Sequence, residues 1–335
     1  IGMTDIGAQK YEFHKLGIRI VDLTASRSRF LGNVKYKLLY DIVPTKIVCW
    51  WALRGIKADT YVAFVEGYCT RLFSKVLQSK KKIAWVHIDL ETFPWTLEKG
   101  IFGSVMKERD AYQKYDEVIG VSESVTDMLI SRYGLHNAKT IYNPIDEKRI
   151  RRLSENKCPI DIDRSKFNIV TVGRLTRQKG YDKLIRLFPD ILAANPDIRL
   201  YIIGEGEDRD LLESEIKEFG LQGNVVLTGF MNNPYSLMKV MDLFICSSLA
   251  EGFSLVIAEA MTIGLPVVSM ECAGPCELLG NGKYGILCSS YDMLRDSVIS
   301  LSKDENKLSE LKNKAIRRRS SFDTESIVSQ IECIL

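Results

Sequence analysis

Short apolar runs alternate with longer amphipathic segments between residues 167 and 270. The apolar runs, which predict buried strands, are residues 167–172, 198–203, 225–228, 243–246 and 267–270. The intervening segments, which predict helices, are residues 181–195, 208–219, 235–241 and 254–263. Because a strand–helix–strand order requires right-handed crossover connections, this half of the chain is predicted to form a parallel sheet covered by helices on both faces.

The first half repeats this alternation less regularly. Its predicted strands are residues 19–23, 60–65, 82–87, 117–121 and 139–142, and its predicted helices are residues 34–53, 67–78, 99–114 and 124–133. We therefore expect an α/β fold with two Rossmann-like, doubly wound domains that face a cleft. The first domain is expected at 1–149, the second at 150–318, and a final helix at 319–335 is expected to return to the first domain. Residues 150–164 are charged, contain Pro159 and are predicted to be a connector.

The beginning of the chain departs from a complete doubly wound domain. Residues 1–17 contain neither an apolar strand nor a Gly-rich turn. The first domain is therefore expected to lack its initial strand–helix–strand unit.

Composition narrows the class of protein. A length of 335 residues with 46% hydrophobic and 27% charged residues is typical of a globular protein with two domains. No signal peptide and no apolar run of membrane-spanning length is recognisable. The eight Cys form no CxxC pair, so a metal site is not indicated and a reducing cytoplasmic location is predicted.

Charge is unevenly distributed along the chain. Residues 1–150 contain 23 Lys and Arg against 17 Asp and Glu, whereas residues 151–335 contain 23 against 26. The basic half, with Lys80, Lys81 and Lys82, favours an anionic acceptor or peripheral contact with the anionic inner face of a membrane. A solvated surface is the alternative. Nucleic acid is not expected as a partner, because no basic motif interleaved with aromatic residues accompanies the charge.

Two carboxylates, Glu251 and Glu259, enclose a Gly-containing turn and the apolar start of a helix. Eight residues at roughly 100° each make two turns plus about 80°, so the two side chains would not share one helical face. We predict that Glu251 lies in the loop after a strand and Glu259 inside the helix. Both would then face the crevice in which open α/β sheets bind ligands.

A basic loop, which runs from Gly173 through Arg174 to Lys179, follows the strand at 167–172. Gly173 allows a ligand to approach the backbone, and the two cations match a diphosphate. Negative charge that develops on a departing diphosphate would be stabilised by such cations. A solvated basic loop is the alternative interpretation.

Three further motifs are more ambiguous. His87 ends a predicted strand, where either a ligand-facing or a packed histidine would fit. Gly204 and Gly206 begin a dinucleotide-binding pattern, but Arg209 occupies its third Gly position, so the pattern fails. Gly274 to Leu278 predict a loop that enters a helix with Pro275 at its first position. Either the backbone of this loop reaches the same ligand as Glu259, or Glu277 is a first-turn carboxylate favoured by the helix dipole.

Together these residues resemble the retaining glycosyltransferases of family 4, the group 1 transferases, which have the GT-B fold. The specific part is Glu251-x7-Glu259 combined with Gly173-Arg174 and Lys179 at the matching strand–loop positions. The resemblance is strongest over residues 165–290 and is topological over 19–150, with His87 and Asn143 as anchors. The family's Gly-rich acceptor-side loop has no counterpart near the start of this chain.

The resemblance implies roles for the catalytic residues and for the donor site. Arg174 and Lys179 would hold the donor diphosphate, Glu259 would accept hydrogen bonds from the ribose, and His87 would line the sugar site. Glu251 would act with them in catalysis. The remaining expected donor contacts are Gly252, Phe253, Ser254 and Leu255 at the sugar and phosphates, and Gly229 and Phe230 near the base.

The resemblance also implies a function. The expected reaction moves a hexose or N-acetylhexosamine from a nucleotide sugar, expected to be UDP-linked, to a lipid-linked or polysaccharide acceptor in cell-surface glycan or capsule synthesis. No metal and no further cofactor is expected, in keeping with the lack of an Asp-x-Asp motif. Two alternatives stay open: an enzyme similar to UDP-sugar 2-epimerases, and a non-catalytic sugar-nucleotide-binding partner in polysaccharide assembly.

Overall fold

The computed structural model describes residues 2–3, 21–22, 43–53, 56–76, 81–318, 322 and 324–335. Strand β1 (Gly2–Met3) pairs in parallel with β2 (Val21–Asp22). The sequence pattern assigns no strand to residues 1–17, so that expectation is wrong at Gly2–Met3. The other residues of the predicted strand at 19–23 lie outside the described residues, as does the first part of the predicted helix at 34–53.

The smaller of two larger sheets has four strands in the order β3-β4-β5-β6. These strands are β3 (Thr60–Ala63), β4 (Lys81–Val86), β5 (Glu117–Gly120) and β6 (Ala138–Thr140). The helices of this half are α1 (Thr45–Ala52), α2 (Tyr68–Phe73), α3 (Trp95–Glu98), α4 (Val105–Tyr112), α5 (Glu123–Tyr133) and α6 (Glu147–Ser154).

Two predictions about this half are wrong in detail. The helix predicted at 99–114 is shorter in the structure, where α4 begins only at Val105, after Gly100 and Gly103 with φ of +68° and +70°. Left-handed residues of this kind cannot continue a right-handed helix. The connector predicted at 150–164 begins inside α6, whose cap Asp146 accepts a hydrogen bond from the backbone N–H of Arg149.

The larger sheet has six strands in the order β12-β11-β10-β7-β8-β9, and its strand pairs are parallel, as predicted. The strands are β7 (Phe167–Val172), β8 (Ile198–Ile203), β9 (Val225–Gly229), β10 (Leu243–Cys246), β11 (Val267–Met270) and β12 (Ile286–Cys288). The helices are α7 (Tyr181–Ala194), α8 (Arg209–Glu218), α9 (Tyr235–Met238), α10 (Leu255–Ile263), α11 (Ala273–Leu278), α12 (Tyr291–Leu301), α13 (Glu305–Arg318) and α14 (Thr324–Ile334).

The core of this half forms where the apolar stripe of α7 meets the sheet. Leu184, Ile185 and Phe188 are fully buried in one cluster with Ile169 of β7 and Leu200 of β8. Strands buried on both faces must be apolar along most of their length, which is why their bounds were predictable. The strand order reverses between β7 and β10, the point at which sheets of this kind bind ligands.

By their internal contacts the residues form two compact units. Unit 1 comprises Ile1–Val86, Pro94–Val118 and Tyr133–Asn137, and unit 2 comprises His87–Phe93, Ile119–Arg132 and Ala138–Leu335. The domain division at 149 and 318 stays a prediction. Among the described residues, no helix combines the length and the apolar character needed to span a membrane.

Candidate functional site

The candidate site lies in unit 2, at the carboxyl ends of the adjacent strands β7 and β10. After β7 the chain passes through Gly173 and Arg174 into a 3-10 turn, Arg177–Lys179. After β10 it forms a loop that ends at Ser254, where α10 begins. The two loops that the sequence singled out therefore start from neighbouring strands.

Lys179 and Glu251 form a largely buried ion pair between these loops. The Lys179 Nζ is 2.6 Å from Glu251 Oε1, and the two side chains are only 19% and 11% exposed. The Ser248 hydroxyl donates to the same carboxylate oxygen over 2.7 Å. Burial alone lowers the pKa of Lys179, but the charge and hydrogen bond of Glu251 outweigh it, so the pKa is raised. Lys179 is therefore a fixed cation over the ordinary pH range.

Backbone contacts fix the geometry of this pair. The Leu249 N–H donates to the carbonyl of Gln178, and the Gln178 side-chain amide donates to the carbonyl of Ala250, both over 2.8 Å. The Ser247 hydroxyl donates to the Lys179 carbonyl, also over 2.8 Å. Gly180 has a left-handed φ of +64°, and a Cβ there would lie 2.4 Å from the Ser247 carbonyl oxygen. The turn and the loop thus behave as one rigid piece.

Ser254 is the most strained residue of the site. It has φ 52° and ψ 73°, a left-handed conformation that is uncommon for a residue other than Gly, Asn or Asp. Its hydroxyl is buried and has no hydrogen-bond partner among the described residues. The first N–H groups of α10 follow directly, and such groups favour anions. Strain together with an unsatisfied buried hydroxyl is typical of a ligand-binding position.

Glu259 lies inside α10, whereas Glu251 precedes it, as their spacing predicts. The Tyr235 hydroxyl donates to Glu259 Oε1 over 2.8 Å. Burial raises the pKa of Glu259, and the hydrogen bond from Tyr235 and the charge of Arg149 offset this only in part. The second carboxylate therefore lies in a less polar environment than an ordinary surface Glu.

Arg174 differs from Lys179 because it is held only loosely. Its guanidinium is 3.2 Å from Glu207 Oε2, and its side chain is 73% exposed. Such an exposed ion pair contributes little to stability and leaves Arg174 able to turn toward a ligand.

The predicted base-binding residues, Gly229 and Phe230, lie at the carboxyl end of β9. Gly229 is left-handed, with a φ of +77°, and its carbonyl accepts from the N–H of Gly204. A Cβ at Gly229 would lie 3.0 Å from Glu205 Oε1. The next residue, Phe230, is 72% exposed and offers an aromatic surface.

His87 reaches the site loop through its backbone. A Cβ at Gly252 would lie 2.1 Å from the His87 carbonyl oxygen, so the two backbones touch within unit 2. Phe253 is buried, and the Glu251 carbonyl accepts a hydrogen bond from the N–H of Gly274. The position of His87 is therefore coupled to the loop that carries Glu251.

The sequence did not identify two residues that hold this site. Ser248 holds Glu251 and Tyr235 holds Glu259. Two serines directly after the buried strand β10 were the available signal for Ser248, because polar residues at a carboxyl end of a parallel strand face the ligand crevice. No local signal points to Tyr235.

The prediction that Glu277 occupies the first turn of its helix is wrong. Helix α11 begins at Ala273, so Glu277 lies near its end. Its carboxylate accepts from the backbone N–H groups of Glu123 and Ser124 over 3.0 and 3.4 Å, and from the Tyr142 hydroxyl over 2.5 Å. The helix dipole therefore does not explain this carboxylate.

No group of three or more His, Cys, Asp or Glu side chains that could hold a metal ion occurs in the described part of the chain.

Residues 154–318, which contain the turn, the loop and both carboxylates, match the family model described as Glycosyl transferases group 1. This part of the chain belongs to that family. An uncharacterized glycosyltransferase of Methanocaldococcus jannaschii is 27% identical to this chain over 317 residues, which cover 83% of this chain and 77% of the relative.

A second relative has a named activity. It is the N-acetylgalactosamine-N,N'-diacetylbacillosaminyl-diphospho-undecaprenol 4-alpha-N-acetylgalactosaminyltransferase of Campylobacter jejuni. The two sequences are 31% identical over 217 residues, which cover 63% of this chain and 58% of the relative. The chain therefore spans little more than half of that protein.

A solved structure shares the fold. HepE of Anabaena, in complex with UDP-glucose, superposes with a TM-score of 0.75 at 22% identity. The superposition covers 99% of this chain and 89% of HepE. The likeness shows the GT-B fold that the sequence motifs imply.

Proposed function

We propose that this chain transfers a hexose or an N-acetylhexosamine from a UDP-linked donor to an acceptor hydroxyl, with retention at the anomeric carbon. The observation that carries the proposal is the buried Lys179–Glu251 ion pair beside the strained, unsatisfied Ser254 at the start of α10. A diphosphate would meet a fixed cation there together with the N–H groups of a helix N-terminus.

Leaving-group stabilisation is the proposed source of catalysis. The bond between the anomeric carbon and the diphosphate oxygen breaks, and the oxygen of the acceptor hydroxyl forms the new bond on the same face. The acceptor proton passes to the released diphosphate. Negative charge grows on the diphosphate as this bond breaks, so Lys179 and Arg174 stabilise the transition state more than the bound donor.

The other donor contacts follow from the same arrangement. Glu259 accepts from the ribose hydroxyls, Phe230 and Gly229 lie against the base, and Glu251 with the backbone of Gly252 to Leu255 orients the sugar. His87 lines the sugar site. The UDP-glucose bound to HepE supports a UDP-linked donor, since the two chains share the fold over 99% of this chain.

A lipid-linked sugar or a growing surface polysaccharide is the proposed acceptor, used in the cytoplasm at the inner face of the membrane. The diphospho-undecaprenol in the name of the Campylobacter relative supports an acceptor of this class. The excess of Lys and Arg over Asp and Glu in residues 1–150 supports contact with anionic groups.

The donor proposal is tested by calorimetry with UDP, GDP and ADP, followed by transfer assays with the sugar nucleotides of the base that binds. Glu259→Ala is expected to weaken UDP binding by more than about tenfold, roughly 1.4 kcal/mol, because a charged hydrogen-bond acceptor is lost. Glu218→Ala, which removes an exposed carboxylate at the end of α8, is the matched control. An unchanged UDP affinity in Glu259→Ala would remove the ribose assignment.

Product analysis separates the proposed reaction from the alternatives. Nuclear magnetic resonance of the product is expected to show the anomeric configuration of the donor. Interconversion of free UDP-sugars without an acceptor would indicate epimerase chemistry. Tight UDP binding without transfer to any lipid-linked or polysaccharide acceptor would indicate a binding protein.

A further inference from the structure

A cavity of about 480 Å³ in unit 1 has five basic side chains among its thirteen lining residues. It lies between α2, α4 and the loop that joins α3 to α4. The cations that line it are Arg71, Lys75, Lys99, Lys107 and Lys114. Asp110 is the carboxylate among the lining residues. None of these residues belongs to the candidate site in unit 2.

Arg71 is held in place by neutral groups. Its Nε donates to the Thr45 hydroxyl over 2.9 Å, and its Nη1 donates to the Ile101 carbonyl over 2.8 Å. Both acceptors belong to residues that line the cavity. The guanidinium is therefore oriented, and among the described residues it forms no ion pair with a carboxylate.

The lysines likewise lack carboxylate partners. Among the residues that the structure describes, no ion pair joins Lys75, Lys99, Lys107 or Lys114 to a carboxylate. Asp110 is 3.8 Å from the Arg109 guanidinium, so part of its charge is already balanced. The cavity consequently carries a concentrated positive charge.

The lowered pKa of Lys75 reflects its burial and the repulsion between the cations of this cavity. Burial lowers its pKa to about 8, together with a hydrogen bond to Lys114 and the charges of Lys114, Lys46 and Arg71. Like charges at such close range repel and destabilise the folded state, whereas a bound anion would reverse the sign of each interaction. The cluster is difficult to explain as a stabilising feature of the fold.

The backbone beside the cations is also accessible. Gly100 and Gly103 are left-handed, and a Cβ built at Gly100 would meet no atom within 4 Å. Below the loop, Ile101, Phe102 and Ala111 are buried in one apolar cluster that supports it. A ligand can thus approach the backbone of the loop, which is held in place by this buried cluster.

We propose that this cavity binds a phosphate or diphosphate group. Phosphate oxygens carry more than one negative charge and accept several hydrogen bonds, which suits a preorganised guanidinium surrounded by ammonium groups. The volume is sufficient for a diphosphate and part of the group attached to it. The phosphate is carried either by a soluble ligand or by a lipid headgroup, and both share this chemistry.

Calorimetry with inorganic pyrophosphate tests the proposal. The measurement is made on the original chain and on Lys179→Ala, so that binding which Lys179→Ala retains is assigned to a site other than the donor site. Lys75→Gln/Lys107→Gln is expected to weaken binding at least tenfold, whereas Asp110→Asn is expected to strengthen it. Removal of repelling charges is expected to leave the melting temperature unchanged or raised, so that misfolding does not explain a loss.

A charge-matched control is provided by Lys217→Gln/Lys303→Gln, which removes two exposed cations from unit 2. This variant is expected to bind pyrophosphate as the original chain does. An equal loss in both double variants, or no pyrophosphate binding in Lys179→Ala and no vesicle binding, would overturn the proposal.

Vesicle sedimentation distinguishes the two sources of phosphate. Vesicles of phosphatidylglycerol with phosphatidylcholine are compared with vesicles of phosphatidylcholine alone. Binding to the anionic vesicles that Lys75→Gln/Lys107→Gln abolishes, and that pyrophosphate displaces, assigns the phosphate to a lipid. Pyrophosphate binding without vesicle binding assigns it to a soluble ligand. Vesicle binding that the variant retains would exclude the cavity as the site of lipid binding.

Discussion

Burial and charge act in opposite directions on Lys179. Burial disfavours its ammonium form, and Glu251 at 2.6 Å more than compensates. Ser248 then satisfies the carboxylate further through its hydroxyl. A cation maintained in this way needs little reorganisation when a diphosphate leaves, which is the property expected of an electrostatic catalyst.

Lys179→Ala is expected to lower turnover by two to three decades, equivalent to roughly 3–4 kcal/mol, because a preorganised charge is removed from the transition state. Steady-state kinetics with a saturating donor measures this. Lys217→Ala on α8 is the control for loss of an exposed lysine. A loss below tenfold would refute the role of Lys179 at the diphosphate.

Glu259 should make stability dependent on pH. Its folded-state pKa is raised above the ordinary value of 4.5, so the folded chain binds the proton more tightly than the unfolded chain. Stability is therefore lost as pH rises from 4.5 through the folded-state pKa. Gln at this position keeps an oxygen that accepts from Tyr235 but does not ionise.

Glu259→Gln is therefore expected to gain stability relative to the original chain as the pH is raised. Urea unfolding at about pH 4 and about pH 8 measures the difference between the two proteins. A difference that is the same at both values, or that is larger at the lower one, would contradict the raised pKa.

At the scale of elements, Gly180 allows the turn before α7 to pack closely against the loop before α10. A side chain there meets two obstacles: the left-handed φ and the backbone oxygen of Ser247 at 2.4 Å. Gly220, after α8, has nearly the same φ of +67° but no atom within 4 Å of a built Cβ. The two glycines separate conformational strain from steric collision.

Gly220→Ala is expected to cost about 1–2 kcal/mol of unfolding free energy from the left-handed conformation alone. Gly180→Ala should cost about 3 kcal/mol or more, because the backbone of the loop must also move. Urea unfolding of both variants measures the two losses. Equal losses would show that the contact with Ser247 has no energetic consequence.

At the scale of the whole molecule, Glu277 connects segments that are far apart in the chain. Its carboxylate accepts hydrogen bonds from the backbone N–H groups of Glu123 and Ser124 at the start of α5, which are 154 and 153 positions earlier in the chain. It also accepts from the hydroxyl of Tyr142, 135 positions earlier. Its own backbone carbonyl accepts from Arg318, the last residue of α13. One carboxylate thus satisfies two helix N–H groups that otherwise lack a partner within their helix.

Glu277→Ala is expected to lower the unfolding free energy by about 1.5–3 kcal/mol, because hydrogen bonds to a charged acceptor are lost and donors are left unpaired. Tyr142→Phe, which removes one of these bonds, should cost about 0.5–1.5 kcal/mol. The exposed Glu271→Ala is the control for loss of a nearby carboxylate. If Glu277→Ala is no more destabilising than Glu271→Ala, the connection does not contribute to stability.

The local sequence pattern was sufficient to predict the bounds of an element wherever burial dictates its composition. The bounds predicted for β7, β8, β10 and β11 agree with the structure, because a strand covered on both faces must be apolar from end to end. The pattern did not predict the bounds of a helix where left-handed residues interrupt a continuous helical pattern. Residues 99–114 are predicted as one helix, but left-handed Gly100 and Gly103 delay the start of α4 to Val105.

The sequence by itself determined the parallel α/β architecture and the placement of Glu251 in a loop and Glu259 in a helix, since both follow from short-range periodicity. Only the tertiary structure decided that Lys179 pairs with Glu251 across 72 positions, that Tyr235 holds Glu259, and that Ser254 is strained with an unsatisfied hydroxyl. These features depend on which strands are neighbours in the sheet. Distance along the chain does not encode that adjacency, because the order of strands reverses between β7 and β10.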